Sequence, residues 1–289
     1  MAKTVLGNEI KLNVDERQPV QTPNTAVFQT QEETKKNLFP TNIVTLPSKG
    51  LFYPEDNPLS SGIVEIKYIT AKEEDILTTE SYIKTGVVID KLLQSLIVTK
   101  INYNDLLLGD KNAIMVAARI YGYGANYDME VTTPSGNQQK VTVDLNELKP
   151  KEFNENVVIH TGGNLFTFTF PLCNIPVTFK LLTVGDLTEI EQALKKHKPN
   201  VARGHRDKQL TTRLIQMIQS VDGNPDRNFI KLFVENDLTA LDARALRQYV
   251  TEIQPDMDFS IDVIDEETGD SFRVDVTFGP QFFWPDVRV

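Results

Sequence analysis

The pattern of apolar and polar positions predicts strands and helices in the same order twice along the chain. Alternation typical of half-buried strands covers residues 42–46 and 63–69 and returns in LFTFTFPL from Leu165. Apolar residues three or four positions apart, typical of amphipathic helices, follow each strand region. The predicted helices span residues 87–98 and 110–121 in the first region, and about 186–196, 208–220, 227–236 and 242–252 in the second. Each region ends in a predicted hairpin, at residues 126–132 with 139–145 and at residues 259–278.

The two regions also share individual residues, which predicts an internal duplication. The segment VEIKYITAKEEDIL aligns with VTFKLLTVGDLTEI, so that Lys67 and Thr70 fall opposite Lys180 and Thr183. Thr70, with Glu73 three residues later, is a capping-box pattern for the start of a helix. A repeat of about 115 to 130 residues is the size of a domain, whereas solenoid repeats are about 20 to 50 residues long. Chance similarity between two amphipathic segments is the alternative.

We therefore predict an α+β fold with two related copies, each built from strands, a group of helices and a β-hairpin. The first copy spans residues 42–155 and the second spans residues 156–289; they are called the first half and the second half below. Residues 1–41 are rich in Gln, Thr, Asn and Pro, which predicts an extended or disordered arm. This arm is either a solvated tail or a segment that folds along a partner, and the two interpretations are compatible.

Charge and hydropathy limit the classes of partner. The chain has 289 residues and a net charge of −10, which disfavours binding to nucleic acid and to anionic membrane surfaces. The basic stretch KKHKPNVARGHRDK, residues 195–208, is a local exception. No apolar run is long enough to predict a transmembrane helix, and the N-terminus lacks an apolar core of signal-peptide length. We therefore expect no membrane partner and no secretion.

Motifs for catalysis or for a cofactor are not evident in the sequence. The three histidines, His160, His197 and His205, do not have the spacing of paired metal ligands. The segment VDGNPDRN resembles part of a calcium loop, but Phe233 stands where the last carboxylate ligand belongs, so a turn with Asp226 near the next helix is expected. Cys173 is the only cysteine, and its apolar surroundings predict a buried, unreactive thiol. We expect no enzyme, no cofactor and no metal site.

Three segments are candidates for binding a partner protein. The Pro- and Gly-framed loop LPSKGLFYP contains aromatic residues, residues 195–208 are basic, and the chain ends in GPQFFWPDVRV. The alternative for Phe52 and Tyr53 is a place in the core, and for the terminal aromatics it is packing against the last helices. The candidate residues are Pro47, Lys49, Phe52, Tyr53, Lys195, Lys196, Arg203, Arg206, Phe282, Phe283 and Trp284.

Four segments together resemble one viral family. LPSKGLFYP, GIVEIKYITAKEEDIL, GVVIDKLLQSLIV and LLLGDKNAIMVAARIYGYG, with the closing FFWPD, are similar to the baseplate hub subunit or hub-assembly protein of T4-like contractile-tailed bacteriophages. The resemblance covers roughly residues 44–289. Some relatives carry cysteine pairs in the hairpin after GYG, which suggests a small metal knuckle. Here that hairpin, from Val131, has no cysteine, so a metal role is not carried over.

The resemblance implies a non-enzymatic structural subunit of the baseplate hub, located in the virion tail and assembled in the cytoplasm of the host bacterium. Its partners would be other baseplate and tail proteins, and several copies per particle are compatible with it. The alternative is a tail-assembly chaperone that is absent from the mature virion. A third class, an enzyme or nucleic-acid modifier, has only the basic stretch in its favour.

Overall fold

The computed structural model describes residues 40–153, 155, 163–196, 208–278 and 282–283, and it has the mixed α+β architecture expected from the sequence. The predicted arm lies almost entirely outside the described residues, as do the three histidines, Arg203, Arg206 and Trp284. The domain boundary predicted between residues 155 and 156 stays a prediction.

The first half opens with an antiparallel strand pair and continues with four helices and a hairpin. In β1 (Thr41–Thr45) and β2 (Ile63–Lys67), Val44 pairs with Val64. The helices are α1 (Ala71–Thr78), α2 (Glu80–Thr85), α3 (Val88–Leu96) and α4 (Leu108–Tyr123). The hairpin joins β3 (Asn126–Thr132) to β4 (Gln138–Asp144), and a short strand β5 (Lys149–Pro150) follows.

The second half repeats the order of a strand pair, helices and a hairpin. Strands β6 (Phe166–Thr169) and β7 (Pro176–Phe179) are antiparallel, and β8 (Ile218–Val221) pairs with β7. The helices are α5 (Val184–Lys196), α6 (Gln209–Met217), α7 (Arg227–Leu232), a π-helical turn (Phe233–Asp237) and α8 (Ala240–Ile253). Strand β9 (Met257–Asp258) pairs with β5, and β10 (Ser260–Ile264) with β11 (Ser271–Asp275) forms the last hairpin.

Two expectations about the second half were wrong. The predicted helix 208–220 ends at Met217, because Ile218 and Val221 are buried as strand residues against β7. Cys173 is exposed, since β6 ends at Thr169 and residues 171–173 form a turn. In that turn the Asn174 N–H donates to the Phe170 carbonyl at 2.9 Å. The expected turn before α7 is confirmed, with Asp226 accepting from the Phe229 N–H at 2.7 Å.

The two halves share one continuous apolar core. The ring of Phe52 in the first half lies 5.9 Å from the ring of Phe166 in the second, measured between centroids. The Val184 N–H donates to the Leu106 carbonyl at 2.9 Å. Gly109 completes the junction, because a Cβ at this residue would lie 2.0 Å from the Pro255 carbonyl oxygen. Only glycine lets the start of α4 come this close to the second half.

Candidate protein-binding surfaces

The loop between β1 and β2 turns its aromatic residues inwards. Phe52 and Tyr53 are buried, with 1% and 7% of their surface exposed, and Pro47 is also buried. The Phe52 ring contacts Phe153 at a centroid distance of 5.5 Å as well as Phe166. Of the two alternatives for these aromatics, the structure therefore shows the placement in the core. Their side chains hold the loop in position.

Tyr53 is fixed by a buried polar network at the start of α4. Its hydroxyl donates to Asp110 Oδ2 at 2.5 Å and accepts from the Leu107 N–H at 3.0 Å. Asp110 Oδ1 also accepts from the Ser48 N–H at 3.0 Å. Burial raises the pKa of Asp110 above its usual range, against the opposing effect of the hydrogen bonds from Tyr53 and Ser48. Burial, together with the nearby Asp110, also raises the pKa of the Tyr53 phenol.

The outer surface of this loop includes Lys49 and Leu51, together with the exposed Pro54, Glu55, Asp56 and Pro58. Lys49 has a positive φ of 52°, and its ammonium lies 2.5 Å from a Glu155 carboxylate oxygen. Both partners of this ion pair are exposed, so its contribution to stability is small. Leu51 is 39% exposed. The exposed surface of the loop therefore combines the Lys49–Glu155 ion pair and the apolar Leu51 with two further acidic side chains, Glu55 and Asp56.

The terminal aromatics also pack inwards where they are described. Phe282 and Phe283 are each 2% exposed. The Phe282 ring lies 5.2 Å from Tyr127 and 4.6 Å from Phe278, edge to face in both cases. Between the two open interpretations, the structure shows packing against the body of the protein, although the contacts are with the hairpins and not with the last helices.

The basic end of α5 is solvent-exposed. Lys195 and Lys196 lie in its last turn, where positive charge is favourable beside the helix C-terminus. Lys195 makes a distant ion pair with Glu191, at 3.8 Å. The described residues thus provide two of the four basic candidates of this stretch.

A matching set of polar contacts starts the first helix of each half. Glu73 is fully buried and accepts hydrogen bonds from Lys67 Nζ at 2.7 Å, Ser95 Oγ at 2.8 Å and the Thr70 N–H at 3.2 Å. Burial opposes ionisation of Glu73, but these hydrogen bonds outweigh it and lower its pKa to about 2. The capping box predicted at Thr70 is confirmed.

In the second half the same set surrounds Asp186. It accepts from Lys180 Nζ at 2.6 Å, Gln216 Nε2 at 2.8 Å and the Thr183 N–H at 3.0 Å. Burial again opposes ionisation, and the hydrogen bonds again prevail, so that the pKa of Asp186 is lowered. The alignment of the sequence identified the lysine and the threonine of each set, and the capping-box pattern identified Glu73. It missed Ser95 and Gln216, because each comes from a helix that follows later in the chain.

The last helix of each half also begins with a buried aspartate at its third position. Asp110 accepts from the Ser48 N–H, and Asp242 of α8 accepts from the Leu172 N–H at 2.8 Å. Each donor lies four residues beyond a paired strand residue, because Ser48 follows Val44, which pairs with Val64, and Leu172 follows Phe168, which pairs with Val177. Within the described residues, no group of three or more His, Cys, Asp or Glu side chains is placed to hold a metal ion.

The sequence matches the protein family described as T4 bacteriophage base plate protein, over residues 41–284. This chain belongs to that family. No curated protein and no solved structure matches it significantly. Membership identifies a structural protein of the phage baseplate, placed in the virion tail in contact with other tail proteins.

Several predicted contact residues of this baseplate protein support the fold, and others are accessible. Pro47, Phe52, Tyr53, Phe282 and Phe283 have buried side chains. Lys49, Lys195 and Lys196 are exposed, and partner contact by any of these residues stays a prediction. In the part of the chain that the structure describes, no helix is long and apolar enough to cross a membrane.

Proposed function

We propose that this baseplate protein is a non-enzymatic subunit of the hub and binds several neighbouring tail proteins during assembly. The observation that carries the proposal is the extent of the family match. It begins at the first residue of β1 and runs past the buried Phe282 and Phe283, so that it includes both halves. The family match thereby covers nearly all of the residues that the structure describes.

The proposal includes an origin of the two halves by duplication of one scaffold. Three matched features support it: the strand pair, the Lys-Thr-acid set at the first helix, and the buried aspartate of the last helix. A fourth is the return of the chain after α3 and α6, where Ile97 bridges to Ile66 and Ile218 pairs with Phe179. These donors and acceptors hold matching places in the two halves, and this agreement supports duplication over chance similarity of two amphipathic segments.

A duplicated scaffold offers two related but different faces to different neighbours. The face of the first half carries the loop surface around Lys49, and the face of the second carries the basic end of α5. The arm, residues 1–41, would add contacts that form on assembly. The surplus of acidic residues keeps the free subunit soluble until it meets its partners.

Quantitative mass spectrometry of purified phage tails tests the proposal. The expected result is that peptides of this chain occur at a fixed ratio to the other baseplate proteins, in tails washed at high salt. Tails purified from a phage that lacks the gene for this chain are the control. A chain that is abundant in assembly intermediates but absent from finished tails would instead be an assembly chaperone, and the structural role would be wrong.

A further inference from the structure

A groove of about 590 Å³ opens where α6 and α8 meet the junction between the halves. Leu107 of the first half and Thr183 of the second form an isolated β-bridge. The residues next to them, Leu108 and Leu182, therefore lie side by side at the groove. The apolar lining is formed by Leu108, Leu182, Leu210, Leu214, Met217 and Val250. Both halves thus contribute to one apolar groove, in which Leu214, Met217 and Val250 are buried, Leu108 and Leu182 are partly buried, and Leu210 is exposed.

Two arginines flank this apolar lining. Arg213 of α6 and Arg247 of α8 both line the groove and are exposed. Neither guanidinium lies within ion-pair distance of a carboxylate among the described residues. In a chain with 40 acidic and 30 basic side chains, two such arginines beside exposed leucine are a marked local excess of positive charge. Leu210, on the same face of α6 as Arg213, is 45% exposed.

The corresponding positions of the first half have a different chemistry. Leu92 lies five residues before the bridging Ile97, as Arg213 lies five residues before Ile218. Met115 lies five residues after Asp110, as Arg247 lies five after Asp242. Leu92 is fully buried, and Met115 packs against the core. The second half therefore has exposed arginines where the first half has a buried leucine and a partly buried methionine.

We propose that this groove binds an acidic segment of a neighbouring tail protein, with leucine-like side chains in the apolar lining and carboxylates paired with Arg213 and Arg247. The proposal rests on the proposed function, because it supplies the chemistry of one of the neighbours. Arginine binds carboxylates through two parallel hydrogen bonds, in a bidentate geometry. Apolar side chains beside it provide the buried apolar surface that a stable contact needs. The complementary charge sets the orientation of the segment and speeds its encounter with the groove.

A binding titration with a defined probe tests the groove. The probe is a fluorescein-labelled 16-residue helical peptide with leucines at every third or fourth position and glutamates between them. Its matched control has lysine in place of each glutamate. We expect the full-length chain to bind the acidic peptide about tenfold more tightly than the lysine peptide at low salt, with the preference falling as salt rises. Equal binding of the two peptides, or binding of neither, would overturn the proposal.

Charge-reversal variants test whether the acidic peptide binds at the groove. Arg213→Glu with Arg247→Glu should weaken binding of the acidic peptide by about tenfold or more. Arg244→Glu is the matched control, because Arg244 is exposed on α8 but does not line the groove. It should change the affinity less than about threefold. Unchanged thermal unfolding of all variants shows that they are folded. An equal loss in Arg244→Glu would mean that only net charge matters, and the groove would not be the site.

Cross-linking in assembled tails identifies the occupant. A photoactivatable amino acid in place of Leu210 should cross-link to a net acidic, leucine-containing segment of another tail protein. Cross-links to a second copy of this chain, or to a basic segment, would contradict the proposal. Finished tails that contain the doubly charge-reversed chain at normal levels, together with no peptide binding, would remove the groove and leave the baseplate role intact. Absence of the wild-type chain from tails would remove the baseplate role, while the titration still tests the groove by itself.

Discussion

The two halves differ in the connection between their first two strands. In the first half, residues 46–62 form a long loop that places Phe52 and Tyr53 in the core at the junction between the halves. In the second half, residues 170–175 form a short turn in which Leu172 is 61% exposed. The longer loop of the first half therefore serves the joint between the halves, whereas the short turn of the second leaves a surface open beside the start of α8.

The buried aspartates next to these two connections, Asp110 and Asp242, differ in the direction of their pKa shifts. Burial raises the pKa of Asp110, which Tyr53 covers. At Asp242 burial acts in the same direction, but hydrogen bonds from Leu172, Thr239 and Cys173 outweigh it and lower the pKa. The pKa values at matching positions of the two halves are thus shifted in opposite directions, because burial outweighs the hydrogen bonds at Asp110 and the hydrogen bonds outweigh burial at Asp242.

The largest effect is expected at Phe52. Phe52→Ala should lower the free energy of unfolding by about 3 to 5 kcal/mol, because it leaves a cavity between Phe153 and Phe166. Leu172→Ala, in the short turn of the second half, is the control and should cost less than about 1 kcal/mol. Urea unfolding followed by fluorescence measures both. Equal costs would mean that the long loop has no special role at the junction.

A second pair of substitutions compares the starts of α4 and α8. Gly109→Ala should destabilise the protein by about 2 to 3 kcal/mol, since its Cβ would meet the Pro255 carbonyl. Leu241 occupies the same position of α8, the second helical residue, and is 57% exposed. Leu241→Ala should therefore be nearly neutral. Thermal unfolding of the two variants checks the contrast, and a neutral Gly109→Ala would contradict the close packing of the halves.

The smallest expected effect is the pH dependence of stability that the matching acids of the two halves, Glu73 and Asp186, contribute. The folded-state pKa of Glu73, about 2, lies below its unfolded value, so its contribution to stability is present above about pH 4.5 and is lost as pH falls towards 2. Glu73→Gln should cost about 1 to 3 kcal/mol at pH 7 and progressively less below pH 4. Asp186→Asn should show the same sign, because the pKa of Asp186 is also lowered.

Unfolding titrations between pH 7 and pH 2.5 measure this dependence for the wild type and for both variants. A penalty for Glu73→Gln that stays constant with pH would show that packing, and not charge, is lost. A pH dependence in one half only would argue against the shared polar set.

Local features of the fold were predictable from the sequence. The order of strands, helices and hairpins, the capping box at Thr70, and the turn before α7 all follow from contacts within a few residues of each other. Alternation and helical spacing report which face of an element is buried, and these patterns are strong in α3 and β3. The sequence alignment also pairs Lys67 with Lys180 and Thr70 with Thr183.

Other features required the tertiary structure, because they depend on residues far apart in the chain. Residues 218–221 form a strand only because β7 is beside them, and Cys173 is exposed because β6 ends before it. Tyr53 bonds to Leu107 and Asp110, and both lie more than 50 positions after it in the chain. The same holds for the groove, where α6 and α8 are joined to the first half by the bridge from Leu107 to Thr183. The sequence determined most of the elements and which faces are apolar, whereas long-range packing decided where α6 gives way to a strand, which apolar residues are buried and which stay exposed.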